Sequence, residues 1–374
     1  MKSYKNLDKE LYDDASLKSD LLACTQNHKN KRETADIKEN LDKHAEILKG
    51  KLQTNTFTRK THRESEINES TCRKTRHIQK PWMFYEQPAH HAIMRPFARI
   101  VTKSLPYHVC GSIPGRGPHK EKKHIERFIK RNRSGCKYFL KFDVRHFYES
   151  VSHRRLKKAL KEKIKDKTYL SKLFAVIDSC SRGLPIGYYT SQWFGNFYLS
   201  PLDHLIEAHP ATEMAIRLMD DVVVFGRNKK QLHELRKACV RKLEDLGLTM
   251  KNNWQVCRFD YVGRDGKRRG RPLDFMGFKF YRDRTTIRKS ILFRIRKKAY
   301  SIRRKEKPGW TDAASMLSRM GWIKHADAYG YYERHIKPAV NIRKLKKIMS
   351  KHSKKEASNE VGKSGIGRKT GRTG

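Results

Sequence analysis

Met214-Ala215-Ile216-Arg217-Leu218-Met219-Asp220-Asp221-Val222-Val223-Val224-Phe225 reads as two short apolar runs joined by an acidic turn, the pattern of a tight β-hairpin. Upstream, Tyr138-Phe139-Leu140-Lys141-Phe142-Asp143 is another short apolar run and reads as a buried strand with an acid at its end. If these strands lie side by side in one sheet, Asp143, Asp220 and Asp221 converge on one spot. Carboxylate oxygens so placed suit a pair of Mg²⁺ ions about 4 Å apart, which activate a hydroxyl and stabilise a leaving pyrophosphate. An acidic pair in a turn is ordinarily just solvated. Here it is flanked on both sides by strongly apolar strands in a chain poor in acid, and the residues alone leave both readings open.

Working outward, strand and helix patterns alternate. A helix is expected at about His153–Lys165, and another over Thr190–Ala208 with Thr190 or Ser191 as its cap and Pro201 kinking or dividing it. Lys229–Leu246 is the clearest amphipathic helix, with Leu232, Leu235, Cys239 and Leu243 in line and Gly247 as its stop. A strand near Gln255–Phe259 and a hairpin, Phe275–Phe280 into Thr285–Arg288, are expected to complete a single sheet backed by helices, an α+β arrangement. Beyond it, Ile291–Arg304, Asp312–Met320, His325–His335 and Asn341–Met349 look helical. Residues 1–59 read as a charged, helical and partly disordered segment, and Thr54–Arg76 as loosely ordered. The Lys-, Ser- and Gly-rich stretch 351–374 reads as a basic disordered tail.

The chain has 374 residues, with Lys+Arg 85 against Asp+Glu 39, a formal +46. Such a surplus points to a polyanionic partner, nucleic acid before a membrane surface. No apolar run of about 18 residues and no signal-peptide pattern stands out, so a soluble, cytoplasmic protein without membrane association is expected. The seven cysteines show no CxxC spacing, which argues against zinc and against a disulfide framework.

Five motifs in order resemble those of reverse transcriptases. Phe142-Asp143-Val144-Arg145-His146-Phe147-Tyr148 is similar to the family's first metal-binding motif. Gly183-Leu184-Pro185-Ile186-Gly187-Tyr188-Tyr189-Thr190-Ser191-Gln192, running into Asn196-Phe197-Tyr198-Leu199, is similar to its template- and nucleotide-positioning motif. Leu218-Met219-Asp220-Asp221 resembles the aspartate-pair hairpin, Gly247-Leu248 through Trp254-Gln255 the motif after it, and Phe275-Met276-Gly277-Phe278 the primer-grip hairpin. Lys74–Arg76, His90-His91-Ala92 and Gly115-Arg116-Gly117 resemble fingers segments, so the likeness covers about residues 74–350.

The resemblance implies a right-hand polymerase fold: fingers over 60–136, palm over 137–285 and a helical thumb over 286–350. It implies that Asp143, the Val144 carbonyl, Asp220 and Asp221 hold two Mg²⁺ ions, with Mn²⁺ as an alternative. Tyr148 stands where the family places an aromatic gate against the ribose 2′-hydroxyl; its bland reading is a core tyrosine. Ile186, Gly187 and Gln192 would contact the nascent pair. Lys74 and Arg76 would meet the incoming triphosphate, and Arg116 would hold template phosphate or simply decorate a Gly-rich turn. Lys251 is the nearest candidate to protonate pyrophosphate, although an ordinary exposed lysine is the favoured reading. His90 and His91 read as packing or hydrogen-bonding residues rather than ligands, and the basic helix Arg288–Arg304 as a duplex contact.

Two departures matter. Leu218 replaces the usual Tyr, which puts a primer–template contact in doubt. Ile186 replaces the usual Gln, with Ser191-Gln192 in place of Ser-Pro, which resembles the enzymes of diversity-generating retroelements. That likeness implies template RNA, primer, cDNA and dNTPs as partners, copying errors at adenine, and a small basic helical-bundle accessory protein. The chain ending soon after the thumb, without RNase H, integrase or endonuclease segments, argues against an intron or retroviral lifestyle. A retron or phage-defence enzyme, an RNA-dependent RNA polymerase and a noncatalytic RNA-binding palm are the rivals. Tyr148 argues against the second and the intact acids against the third.

Overall fold

A computed structural model of the chain describes residues 3–26, 31–59, 63–69 and 74–365, and the chain divides after Arg258 into two compact units. The first unit opens with three helices, α1 (Asp14–Thr25), α2 (Lys31–Glu39) and α3 (Leu41–Gln53). Asp13 caps α1 by accepting the Ser16 N–H at 2.9 Å. Leu17, Leu21, Ile37, Leu48 and Leu52 are buried in the same core as the central sheet. Helix was expected here, but the sparse apolar residues understate how firmly this layer is built in. Each helix contributes only a narrow stripe, and the stripes form a core only together.

Next come the ribbon β1 (Arg63–Glu69) and β2 (Lys74–Lys80), paired antiparallel with Glu66 opposite His77. Loose order was expected up to Arg76. The ribbon is polar along its length, so a backbone ladder forms it and hydrophobic alternation does not reveal it. Two helices follow, α4 (Glu86–Ser104) and α5 (Pro118–Arg131), then β3 (Tyr138–Asp143), α6 (Phe147–Ser150), α7 (His153–Lys163) and α8 (Lys167–Asp178). After these run α9 (Tyr189–Ala208), β4 (Met214–Leu218), β5 (Asp221–Gly226), α10 (Lys229–Asp245) and β6 (Gln255–Arg258). The sheet order is β4-β5-β3-β6, antiparallel throughout. Val222, Val223, Val224 and Phe225 are all buried, as a central strand covered on both faces requires.

The helix α9 passes through Pro201 undivided. The proline leaves the Phe197 carbonyl without its i+4 donor, and the Ser200 hydroxyl donates to that oxygen instead, at 2.8 Å. Ser191 caps nothing here; its hydroxyl donates to the Pro185 carbonyl at 2.7 Å. For α10, Asn228 accepts the Lys230 N–H at 2.8 Å, and Gly247, at φ 72°, follows the helix in the left-handed region.

In the second unit, β7 (Tyr261–Val262) and β8 (Arg268–Arg269) form a small hairpin. Then β9 (Leu273–Phe275), β10 (Phe278–Phe280) and β11 (Thr285–Ile287) form their own three-stranded sheet, in place of the single sheet expected. The turn between β9 and β10 explains the separation. Met276 (φ 51°) and Gly277 (φ 82°) reverse the chain, and a Cβ on Gly277 would lie within 2.8 Å of Trp322 and Ile291. The hairpin therefore packs on helices of its own unit: α11 (Lys289–Arg303), α12 (Trp310–Lys324), α13 (Tyr329–Tyr331) and α14 (Ile342–Gly365). The last of these continues into the stretch expected to be an irregular tail. Among the described residues no helix is long and apolar enough to cross a membrane, and no disulfide forms.

Candidate active site

The sheet register brings the acids together. Asp143, the last residue of β3, lies directly opposite Asp221, the first of β5, and Asp220 occupies the turn between β4 and β5. The turn has two residues, Met219 and Asp220, because Leu218 pairs with Asp221. Met219 takes φ 57°, a conformation that disfavours every residue except glycine. Past Asp143 the backbone is held on both sides. Val144 donates to the Asp220 carbonyl at 3.2 Å, Lys251 to the Asp143 carbonyl at 2.8 Å, and Arg145 to the Thr249 carbonyl at 2.8 Å.

Burial, and then the neighbouring Asp143 carboxylate, push the Asp220 carboxyl up to about 6. The Lys251 ammonium pairs with Asp143 Oδ2, and the Lys141 ammonium lies 3.7 Å from Asp221 Oδ2. Asp143 Oδ1 is buried and takes no hydrogen bond. These are hard oxygen donors whose mutual repulsion a divalent cation would relieve, so the residues fit such ions. Among the described residues, however, no three acidic, His or Cys side chains are already arranged as a ligand set.

Beside the acids lies a cleft of about 580 Å³, lined by Val144, Tyr148, Ile186, Asp220 and Lys251 among others. Sequence-predicted residues from three separate motifs thus meet in one cavity. His146, at φ 44°, turns the chain out of β3 and into α6, which carries Tyr148 to the wall. The loop bearing Ile186 docks on this turn, with Leu184 donating to the Tyr148 carbonyl at 2.7 Å. From the other side Gln79 of β2 donates to the Ile186 carbonyl at 2.9 Å. A Cβ on Gly187 would lie 2.4 Å from the Gln79 carbonyl oxygen, so glycine is required there for close approach. Tyr148 is half-buried, its ring tilted against Phe147 at 5.1 Å.

Other expected residues are placed elsewhere. Arg116 donates to the Pro106 and Val109 carbonyls, at 2.9 and 3.3 Å, and its guanidinium lies over Tyr107; it buttresses its own loop. Gln192 is exposed on α9 and does not line the cleft. The backbones of Lys74 and Arg76 belong to β2, but their side chains lie outside the described residues. Thr75 and His77 of the same strand do line the cleft, and no pattern in the residues had marked either one. The histidines are packed against rings: His90 is fully buried with its ring 5.0 Å from that of Tyr188, and His91 stacks on Tyr189 at 4.5 Å.

Sequence reasoning missed a buried ionic cluster behind the acidic turn. Arg217 is fully buried, and its guanidinium donates through Nε and Nη2 to Asp203 at 2.6 and 2.7 Å. Through Nη1 it donates to Asn196 Oδ1 at 3.1 Å and to the Met219 carbonyl at 2.8 Å. Burial alone would raise the Asp203 carboxyl, but Arg217 and then His108, 3.6 Å away, outweigh it and hold it below the ordinary value. The available signal was a pair of opposite charges, each set inside an apolar run of strand or helix.

Carboxylates converging from neighbouring strands of an antiparallel sheet, with a cleft beside them, are an arrangement that suits divalent-cation chemistry. The family described as "Reverse transcriptase (RNA-dependent DNA polymerase)" matches residues 88–280, just over half of the chain, and the chain belongs to that family. Its mixed helix-and-sheet architecture is the right-hand polymerase fold of that class. No curated protein matches the chain. Among solved structures it is similar to apo telomerase from Candida tropicalis, at 12% identity over 71% of this chain and 53% of that one, TM-score 0.47. It is also similar to telomerase from Candida albicans in complex with a fragment of telomeric RNA, at 12% identity over 77% and 58%, TM-score 0.44. A third, the C-terminally truncated Candida tropicalis enzyme, gives 14% identity over 58% and 52%, TM-score 0.42. The chain spans between 52% and 58% of the length of these structures.

Proposed function

We propose that the chain is an RNA-directed DNA polymerase that copies a template RNA into cDNA from dNTPs. The observation that carries this reading is Asp143 opposite Asp221, with Asp220 in the adjoining turn, at the wall of a cleft shared with Tyr148 and Ile186. Asp143, Asp220, Asp221 and the Val144 carbonyl are the groups that would hold two Mg²⁺ ions. When bound, such ions polarise the primer 3′-hydroxyl and stabilise charge on the leaving pyrophosphate. The chain's own residues do the rest. The ladder between β3 and β5 fixes the spacing of the carboxylates. Tyr148 bounds the space for the sugar, and Ile186 presents an apolar wall where a polar check would otherwise stand. In this reading residues 60–136 act as fingers, 137–285 as palm and 286–350 as thumb.

Asp143→Asn or Asp220→Asn is expected to abolish Mg²⁺-dependent primer extension while leaving RNA affinity within a few-fold. Robust extension by either variant would overturn the assignment. A noncatalytic RNA-binding palm predicts instead that the unaltered chain binds RNA without extending a primer.

The finer reading is a diversity-generating retroelement enzyme, error-prone at template adenine and working with a small basic helical-bundle partner. Ile186 supports it, since its side chain lines the cleft beside Asp220 and Tyr148. A retron or phage-defence role takes its place if adenine is copied as faithfully as the other bases.

A further inference from the structure

We infer that Arg217 is a positioning residue for the catalytic turn, held by Asp203 and Asn196 of α9 so that its guanidinium fixes the backbone between Met219 and Asp220. This rests on the polymerase reading above. Four observations carry it. The first is that Arg217 is fully buried in an otherwise apolar strand, where an arginine is costly unless every donor is matched. The second is its geometry. Nε and Nη2 grip both oxygens of Asp203, which fixes the plane of the fork, and Nη1 is then aimed at the Met219 carbonyl at 2.8 Å.

The third is the state of that backbone. Met219 sits at φ 57°, a conformation a non-glycine residue keeps only when its surroundings over-determine it. The fourth is a second hold on the same turn. Asn196 accepts from Arg217 Nη1 and donates from Nδ2 to the Gly111 carbonyl at 2.8 Å. A Cβ on Gly111 would lie 2.6 Å from the Met219 nitrogen, so that segment presses on the turn from outside. The turn carrying Asp220 is therefore clamped from α9 and walled by the loop at Gly111. Its carbonyl in turn receives the Val144 N–H, tying Asp220 to the strand end that carries Asp143.

The experiment uses the full chain, with Arg217→Lys, Asn196→Ala and each combined with Met219→Gly. Single-turnover primer extension, dNTP half-saturation, RNA affinity, melting temperature and residue-resolved amide hydrogen exchange are measured. A clamp predicts that Arg217→Lys and Asn196→Ala slow the single-turnover rate by about 10- to 100-fold, with dNTP half-saturation and RNA affinity little changed. Exchange should quicken at Val144, whose acceptor is the Asp220 carbonyl, and not across the rest of the sheet. Met219→Gly, which takes the positive φ without strain, should restore part of the lost rate. Unchanged rates in both single variants overturn the inference. So does a loss of rate with uniformly faster exchange and no recovery by glycine, which would mark Arg217 as core filling. If Arg217→Lys does not fold, Asn196→Ala decides, since it leaves the Asp203 fork intact. If the unaltered chain does not extend primers, the polymerase reading fails, and exchange at Val144 still judges the clamp.

Discussion

The Tyr148 ring packs on Phe147 and also lines the cleft beside Asp220. Replacing it with Ala removes volume from the cleft, next to the sugar in the proposed polymerase reading, without touching a carboxylate. Ribonucleotide incorporation relative to dNTP is expected to rise by about tenfold or more in competition assays, the scale of discrimination a filled apolar contact provides. An unchanged ratio would leave Tyr148 as packing alone. Ile186 lines the same cleft and cannot make the hydrogen bond a side-chain amide would offer the nascent pair. One such contact is worth about 1 kcal/mol, enough for several-fold in fidelity. Ile186→Gln is therefore expected to lower misincorporation opposite adenine several-fold, and opposite the other bases less, when cDNAs made on one RNA are sequenced. The convergence of the acids was legible because short apolar runs ending in carboxylates read as neighbouring strands, and the register does set Asp143 opposite Asp221. Asp203 and Arg217 were not, since nothing in a sequence tells which buried charge will find which partner.

Among elements, legibility followed periodicity. The helix α10 was placed to within a residue because its apolar stripe and its Asn228 and Gly247 ends all agree. The β1–β2 ribbon was invisible because backbone pairing, not side-chain alternation, makes it. The helix α12 was placed with its start two residues late and its end early, and its own beginning explains the first error. Gly309 offers no side chain to cap it, and Asp312 accepts the Gly309 N–H instead while gathering Lys298 and Lys305 at 2.9 and 2.8 Å. Hydrogen bonds from Lys298 and then Lys305 lower the Asp312 carboxyl from 3.8 to about 2. A carboxyl lowered by folding stabilises the fold above its unfolded value and loses that stabilisation as pH falls through the folded one. Helix α12 should therefore loosen between about pH 4 and 2, read as faster amide exchange along 310–324. Asp312→Asn should remove that pH dependence and cost about 1–3 kcal/mol at neutral pH, as for lost hydrogen bonds to charged groups. A variant as stable as the parent at pH 7 would show that the two lysines are merely solvated neighbours.

For the whole molecule, charge sets the strongest expectation. A formal +46 on 374 residues gives a field that captures phosphate backbones whatever their sequence, and each phosphate neutralised releases a counterion. Affinity for nonspecific RNA should therefore fall steeply and linearly on a log–log plot against salt. The C-terminal stretch provides a clean test of how that charge is used. Residues 352–374 hold six Lys or Arg against two Glu, a net +4. The helix α14 keeps its packing residues before that point: Leu345 is buried, and Ile348 and Met349 lie against the second unit's core. Removing 352–374 thus takes away charge, together with the stack of the His352 ring on the half-exposed Trp310 at 4.3 Å. If the stretch lies along RNA, the salt slope should become shallower by up to about 3 to 4, at 0.7 to 0.9 per phosphate released. The melting temperature and the extension rate at saturating RNA should stay near those of the full chain. A slope unchanged by the deletion would confine RNA capture to residues before 352, and a fall in melting temperature beyond that of His352→Ala would mean that α14 holds more than the one ring contact on Trp310.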